Sequence, residues 1–175
     1  MPRVSVADPR VTLPAIVASV MVLGLTLAWA FLSMRAVMDV GGSCADGGPY
    51  VSAQSCPGGA GFIGIAIPLM LLAAFIGSFA AATRSAPNLL VPMWVALFLA
   101  LGWNFLEYGL RDSSSGAGTG WVVCGVVFWL MGLPALFFLR NGTDGQRQDY
   151  RWWPVYLVCG AIGAVLGVVS FHALT

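Results

Sequence analysis

The sequence predicts an all-α, polytopic transmembrane helical bundle of about five spans. Three observations carry that expectation. Hydrophobic residues make up 59% of the 175 positions and charged residues 9%, where a soluble domain carries roughly 25% charged residues. The apolar residues gather into five continuous runs of about 20 residues, the length a helix needs to cross a hydrocarbon core of about 30 Å. The segments between them are short and rich in Gly, Ser, Pro, Asn and Asp. With a mean hydropathy of +0.87, the chain has too little polar surface to meet water. Residues 1–175 are therefore read as one integral membrane domain. Helices are expected over strands because each run is continuously apolar and long, whereas barrel strands alternate and span about 10 residues, and because a helix satisfies its own backbone in lipid.

The first span is expected at Val11–Val37. Arg3 and Arg10 precede it, and Ala28-Trp29-Ala30 imitates the cleavage site of a secretory signal. The apolar run continues through Phe31, Leu32 and Met34, past the usual signal core, so a retained helix is expected. Cleavage would leave four spans and the same following loop.

That loop, Asp39–Ala60, contains the most distinctive stretch of the chain, GGSCADGGPYVSAQSCPGG at positions 41–59. Ordering so many glycines is entropically costly. A Cys44–Cys56 disulfide would offset that cost, with an expected contribution of about 3 kcal/mol for a ring of this size. The spacing is far wider than the Cys-X-X-Cys of redox pairs. Zinc would need four ligands, and the loop offers no histidine.

The second span is expected at Gly61–Ala82, the third at Leu89–Leu110, the fourth at Gly120–Leu139 and the fifth at Trp153–Leu174. Small residues pattern two of them: Ala73, Gly77 and Ala81 recur at four-residue intervals, and Gly163 and Gly167 form a Gly-x-x-x-Gly step. Such faces let helix backbones approach closely, within the bundle or across a dimer. Pro68 and Pro134 fall inside spans two and four, where each removes a backbone hydrogen bond and is expected to kink its helix. Cys124 and Cys159 lie at depths that differ by roughly 14 Å at 1.5 Å per residue, too far for a disulfide, so both are expected to be free.

Arginine placement orients the bundle. Arg3, Arg10, Arg84, Arg140, Arg147 and Arg151 fall on one side, and Arg35 and Arg111 on the other. The positive-inside rule makes the first side cytoplasmic. The N-terminus is then inside, with the cysteine loop and the C-terminus after His172 outside. Trp121, Trp152, Trp153 and Tyr156 fall where their helices should enter the membrane, as interfacial aromatics do.

Ionisable groups within a span are candidates for function. Arg35 on the first span and Glu107 on the third both fall near the outer end. Each has an opposite charge four residues on, Asp39 and Arg111 respectively, so the preferred reading is two self-neutralising pairs, each along one helix. The alternative is an Arg35–Glu107 contact between helices, capped by the cysteine loop. Asn104 shares a face with Glu107 and is expected to lock helices by hydrogen bonding or, less often, to line a small polar pocket. His172 is the single histidine and stands near the C-terminus without a partner in sequence.

The segments Cys44-Ala-Asp-Gly-Gly-Pro-Tyr50, Cys56-Pro57 and Gly102-Trp-Asn-Phe-Leu-Glu107-Tyr-Gly109 together resemble a group of small multi-spanning actinobacterial membrane proteins of no assigned activity. The resemblance covers the outer loop and the third span, about a third of the chain. It implies an actinobacterial source and a plasma-membrane location, and it transfers no catalytic residue.

No nucleophile elbow, phosphate loop, dinucleotide fingerprint, metal quartet or catalytic carboxylate pair occurs in the sequence. The expected function is that of a non-enzymatic accessory or interaction component without cofactor or metal. Its partners would be the lipid bilayer and another membrane protein or a second copy, and no basic patch suggests nucleic acid. The alternative is a small transporter or channel with a polar site at Asn104 and Glu107, although no inverted repeat is visible. A membrane thiol oxidoreductase is the weakest reading, because Cys44 and Cys56 are so widely spaced.

Overall fold

The computed structural model describes residues 9–42, 44, 55–111, 116–141 and 150–175. It is all-α: α1 (Pro9–Asp39), α2 (Phe62–Ala82), α3 (Leu90–Arg111), α4 (Gly116–Asn141) and α5 (Trp153–Leu174), with a single 3-10 turn, Tyr150–Trp152, leading into α5. All five helices are long and apolar enough to cross a membrane. The expected spans match them within a few residues at each end, because continuous hydropathy marks the part of a helix that sits in lipid. Pro68 and Pro134 lie inside α2 and α4, as does Pro14 inside α1, and each of these helices runs on as one element. Of the orienting arginines, Arg3 and Arg147 lie outside the described residues, as does the 45–54 stretch of the cysteine loop.

Successive helices alternate in direction, so the bundle has a disulfide end and an arginine-rich end. The hub is α1, which packs against α5, α2 and α3, while among the described helices α4 packs on α3 alone. The bundle is small-side-in: Ala30, Ala66, Ala74 and Ala81 are buried, whereas Phe79 is 75% exposed and Leu157 68%. Water would penalise that arrangement. Hydrocarbon does not, and small inward residues let the helices touch by close packing, which replaces the hydrophobic drive of a soluble core.

Each seam uses small residues differently. Along α5, Gly163 and Gly167 sit directly against the carbonyls of Met21 and Leu25 of α1, with no room for a β-carbon. On α2, Gly77 faces Ser19 and Leu89, and Ala73 and Ala81 are buried. Both small-residue faces named from the sequence are thus consumed inside the bundle rather than offered to a second copy. The α3–α4 seam has a third pattern. Gly102 and Gly109 of α3 interlock with Gly118 and Gly125 of α4 through backbone carbonyls, and Gly132 continues the line against Phe98 and Leu99. Trp129 then donates from its indole to the Leu99 carbonyl at 3.2 Å, and Trp94 to that of Met131 at 3.2 Å.

At the arginine-rich end, α2 closes on a left-handed residue, Ser85 (φ 53°), with the Ala86 amide donating to the Ala81 carbonyl at 3.1 Å. Asn88 then starts α3 by accepting from the Leu90 amide at 2.7 Å. Arg84 donates to Thr12 at 2.9 Å, which ties this turn to the start of α1.

Candidate functional site

Because α1 and α3 run in the same direction, their last turns lie side by side at the disulfide end. That placement brings Arg35 to Glu107. The guanidinium donates through Nη1 to Oε2 at 2.6 Å and through Nη2 to Oε1 at 2.9 Å, an end-on fork between helices. The sequence reading preferred pairs along each helix, Arg35 with Asp39 and Glu107 with Arg111, and the structure corrects it. A planar guanidinium gains most from two parallel bonds to one carboxylate, and the neighbouring helix presents a carboxylate in that orientation. Asp39 instead accepts from the Tyr108 hydroxyl, and Arg111 is exposed at the end of α3.

Asn104 sits beneath this pair, fully buried. Its Oδ1 accepts from Arg35 Nη1 at 3.3 Å, and its Nδ2 donates to the Phe31 carbonyl at 3.2 Å. One amide therefore reaches both the charged side chain and the backbone of α1. The Tyr108 ring lies 5.3 Å from the guanidinium carbon and that of Phe31 5.7 Å, so aromatic faces flank the cation. Trp121 of α4 meets Tyr108 edge-on at 5.8 Å. The pair is only partly enclosed: the Arg35 and Glu107 side chains keep 28% and 35% of their exposure.

The cysteine loop stands beside this cluster on two feet. Cys44 and Cys56 form a disulfide with their α-carbons 4.9 Å apart. The first foot, Gly42, has φ +83° and lies against the Trp121 ring. The second, Gly59, has φ +81° and is pressed onto Phe171 of α5 and Thr175 just past its end, so that a side chain there would meet both wrong backbone and no space. Ser33 of α1 donates to the Gly59 carbonyl at 2.8 Å. Behind that foot, Phe62 stacks on Trp29 (5.1 Å) and meets Phe171 (5.7 Å), while the Trp29 indole donates to Ser170 at 3.0 Å. The loop thus fastens α1, α2, α4 and α5 where the polar cluster fastens α1 to α3.

Cys124 and Cys159 are free thiols. His172 is exposed and meets only the Phe171 ring edge among the contacts described. One set of residues escaped the sequence reading. Thr12, Ser19, Thr26 and Ser33 are the buried hydroxyls of α1 and recur every seven residues. That spacing holds one helix face toward a partner helix, and the face is the one met by Arg84, Gly77 and Gly59. The regular interval, and the same interval between Gly118, Gly125 and Gly132, was the available signal.

Chemically, the cluster pairs Arg35 with Glu107 and Asn104, and Asp39 with Tyr108, while the Arg35 and Glu107 side chains stay partly open. Among the described residues no buried side-chain nitrogen or oxygen lacks a partner. Comparison with protein-family models, with curated proteins and with solved structures finds no match to this chain in any of the three.

Proposed function

We propose that this chain is a non-enzymatic, multi-pass plasma-membrane protein that acts as an accessory or interaction component, presenting the disulfide end to a partner outside the cell. The observation that carries this reading is the pairing of polar side chains between α1 and α3. Arg35 bonds Glu107 and Asn104, Asn104 bonds the Phe31 carbonyl, and Tyr108 bonds Asp39, so two sets of bonds join α1 to α3, which is how a bundle is made rigid. Six arginines on one side and two on the other support a cytoplasmic N-terminus and an external C-terminus. The central position of α1 supports its retention, since cleavage after Ala30 would remove the hub. The resemblance of the cysteine loop and the Gly102–Gly109 segment supports an actinobacterial source.

Affinity capture from membranes in mild detergent, after brief surface crosslinking, tests the reading. A stoichiometric membrane partner whose capture is lost in C44S/C56S supports it. A chain recovered alone, at full yield, from crosslinked membranes counts against it. The partial exposure of the Arg35–Glu107 pair favours a second reading, a small transporter gated at that pair. Reconstituted flux of a small cation or solute that disappears in E107Q would select the transporter, and unaltered background flux would dismiss it.

A further inference from the structure

A second feature lies away from the polar cluster. Among the described residues the backbones of α3 and α5 make no close approach. Between them runs a cleft of about 380 Å³ whose floor is α1, with Leu23 and Leu27 on the floor, Pro92 and Ala96 on one wall, and Leu157 and Ala161 on the other. Its lining is apolar almost throughout. The Tyr156 hydroxyl, on a residue of the same wall, is engaged at 3.0 Å with the Pro87 carbonyl.

We propose that this cleft holds an acyl chain of an anionic phospholipid whose headgroup rests at the arginine-rich end. Three observations lead there. The cleft opens between flanks that themselves face hydrocarbon, Trp94 being 42% exposed and Leu157 68%, so only apolar matter enters it favourably. Its volume is at the lower end of the range of roughly 300–1,000 Å³ typical of small-molecule sites, suited to one flexible chain. Its lining reaches Leu89 and Trp153, residues at the arginine-rich ends of α3 and α5, where Trp152 and Trp153 stand as interfacial aromatics do.

Charge then selects the kind of lipid. In the sequence, the stretches at the start of α1, between α2 and α3, and from the end of α4 to α5 carry Arg3, Arg10, Arg84, Arg140, Arg147 and Arg151 against Asp8, Asp144 and Asp149, a surplus of three positive charges. The stretches from the end of α1 to α2 and from the end of α3 to α4 carry Arg35 and Arg111 against Asp39, Asp46, Glu107 and Asp112, a surplus of two negative charges. Arg151 lies two residues before Trp153, and Arg84 lies in the turn before Leu89, so a basic residue precedes each wall. An anionic phosphate complements that rim. A helix from a second copy in the same orientation would bring like charge to like charge.

Native mass spectrometry of the detergent-purified full chain, incubated with equal amounts of phosphatidylglycerol and phosphatidylcholine, tests the proposal. The expected result is one retained phosphatidylglycerol per chain, in preference to phosphatidylcholine. R84Q and R151Q should each reduce that preference by roughly fivefold, as expected for one basic residue at an anionic surface. A161F, which fills the cleft from α5, should abolish retention of both lipids, while V169F on the lipid-facing side of α5 should leave it intact. A96F fills the cleft from the opposite wall if A161F is not monodisperse. Equal retention of the two lipids in the unmodified protein overturns the proposal, and so does retention undiminished by filling the cleft. A dimer that A161F dissolves also overturns it, and assigns the cleft to a second copy of the chain.

Discussion

Arg35 and Glu107, 72 positions apart in the chain, are joined by two parallel hydrogen bonds across the α1–α3 interface, with Asn104 bonded to the same guanidinium. This relationship makes the disulfide end a fixed structure, because it couples the ends of two helices that hydropathy alone would let rotate.

Truncating one member should therefore cost more than truncating both. R35A or E107A leaves a charge without its partner, and the partial exposure of both side chains places the expected loss between the limits for surface and buried pairs, at roughly 1–3 kcal/mol. The double variant should recover part of that loss. Thermal unfolding in detergent across the full mutant cycle measures the coupling, and strictly additive effects would show that the fork does not contribute.

The disulfide should be visible by alkylation. Denatured but unreduced protein is expected to take up label at Cys124 and Cys159 only, and at all four cysteines after reduction. C44S/C56S should lower stability by about 3 kcal/mol, the loop-closure value for a ring of this length, read as reduced protein level and an earlier melting transition.

Seam glycines should separate sharply from open ones. A β-carbon on Gly125 would sit 2.9 Å from the Gly102 carbonyl oxygen and 2.7 Å from Leu106 Cγ, whereas one on Gly64 or Gly120 meets nothing within 4 Å. G125A is expected to destabilise by roughly 1–3 kcal/mol through forced separation of α3 and α4. G64A should stabilise by about 0.5–1 kcal/mol through helix propensity. Melting temperatures that fail to rank the two variants this way would contradict the seam.

One hydroxyl helps hold the second foot of the loop. S33A removes the Ser33 donor to the Gly59 carbonyl and should destabilise by about 1 kcal/mol, with faster amide exchange in residues 58–61. T26V should have the smaller effect, because the Thr26 hydroxyl donates to carbonyls of its own helix, Val22 at 2.7 Å and Leu23 at 3.2 Å.

The helices were legible because each is continuously apolar over a membrane's thickness. Legibility fell off at the candidate site. Arg35, Asp39, Asn104, Glu107 and Arg111 were identifiable as ionisable or amide groups at membrane depth, but their pairing was not. Sequence spacing favours neighbours four residues apart on one helix, and Glu107 lies 72 positions from Arg35 along the chain. Tyr108, which takes up Asp39, carried no signal of that role. The heptad-spaced hydroxyls of α1 and glycines of α4 were regular enough to be read, yet periodicity names a face and leaves its partner open.

What the sequence by itself determined is the count, limits and alternating direction of the helices, because backbone polar groups in hydrocarbon must be satisfied within each span. Tertiary structure alone decided that α1 is the hub, that the small-residue faces of α2 and α5 turn inward, and that Arg35 meets Glu107. The physical reason is that a lipid-facing helix is apolar all round. Hydropathy then says nothing about which side faces a neighbour, and that choice falls to close packing and to the geometry of a few hydrogen bonds.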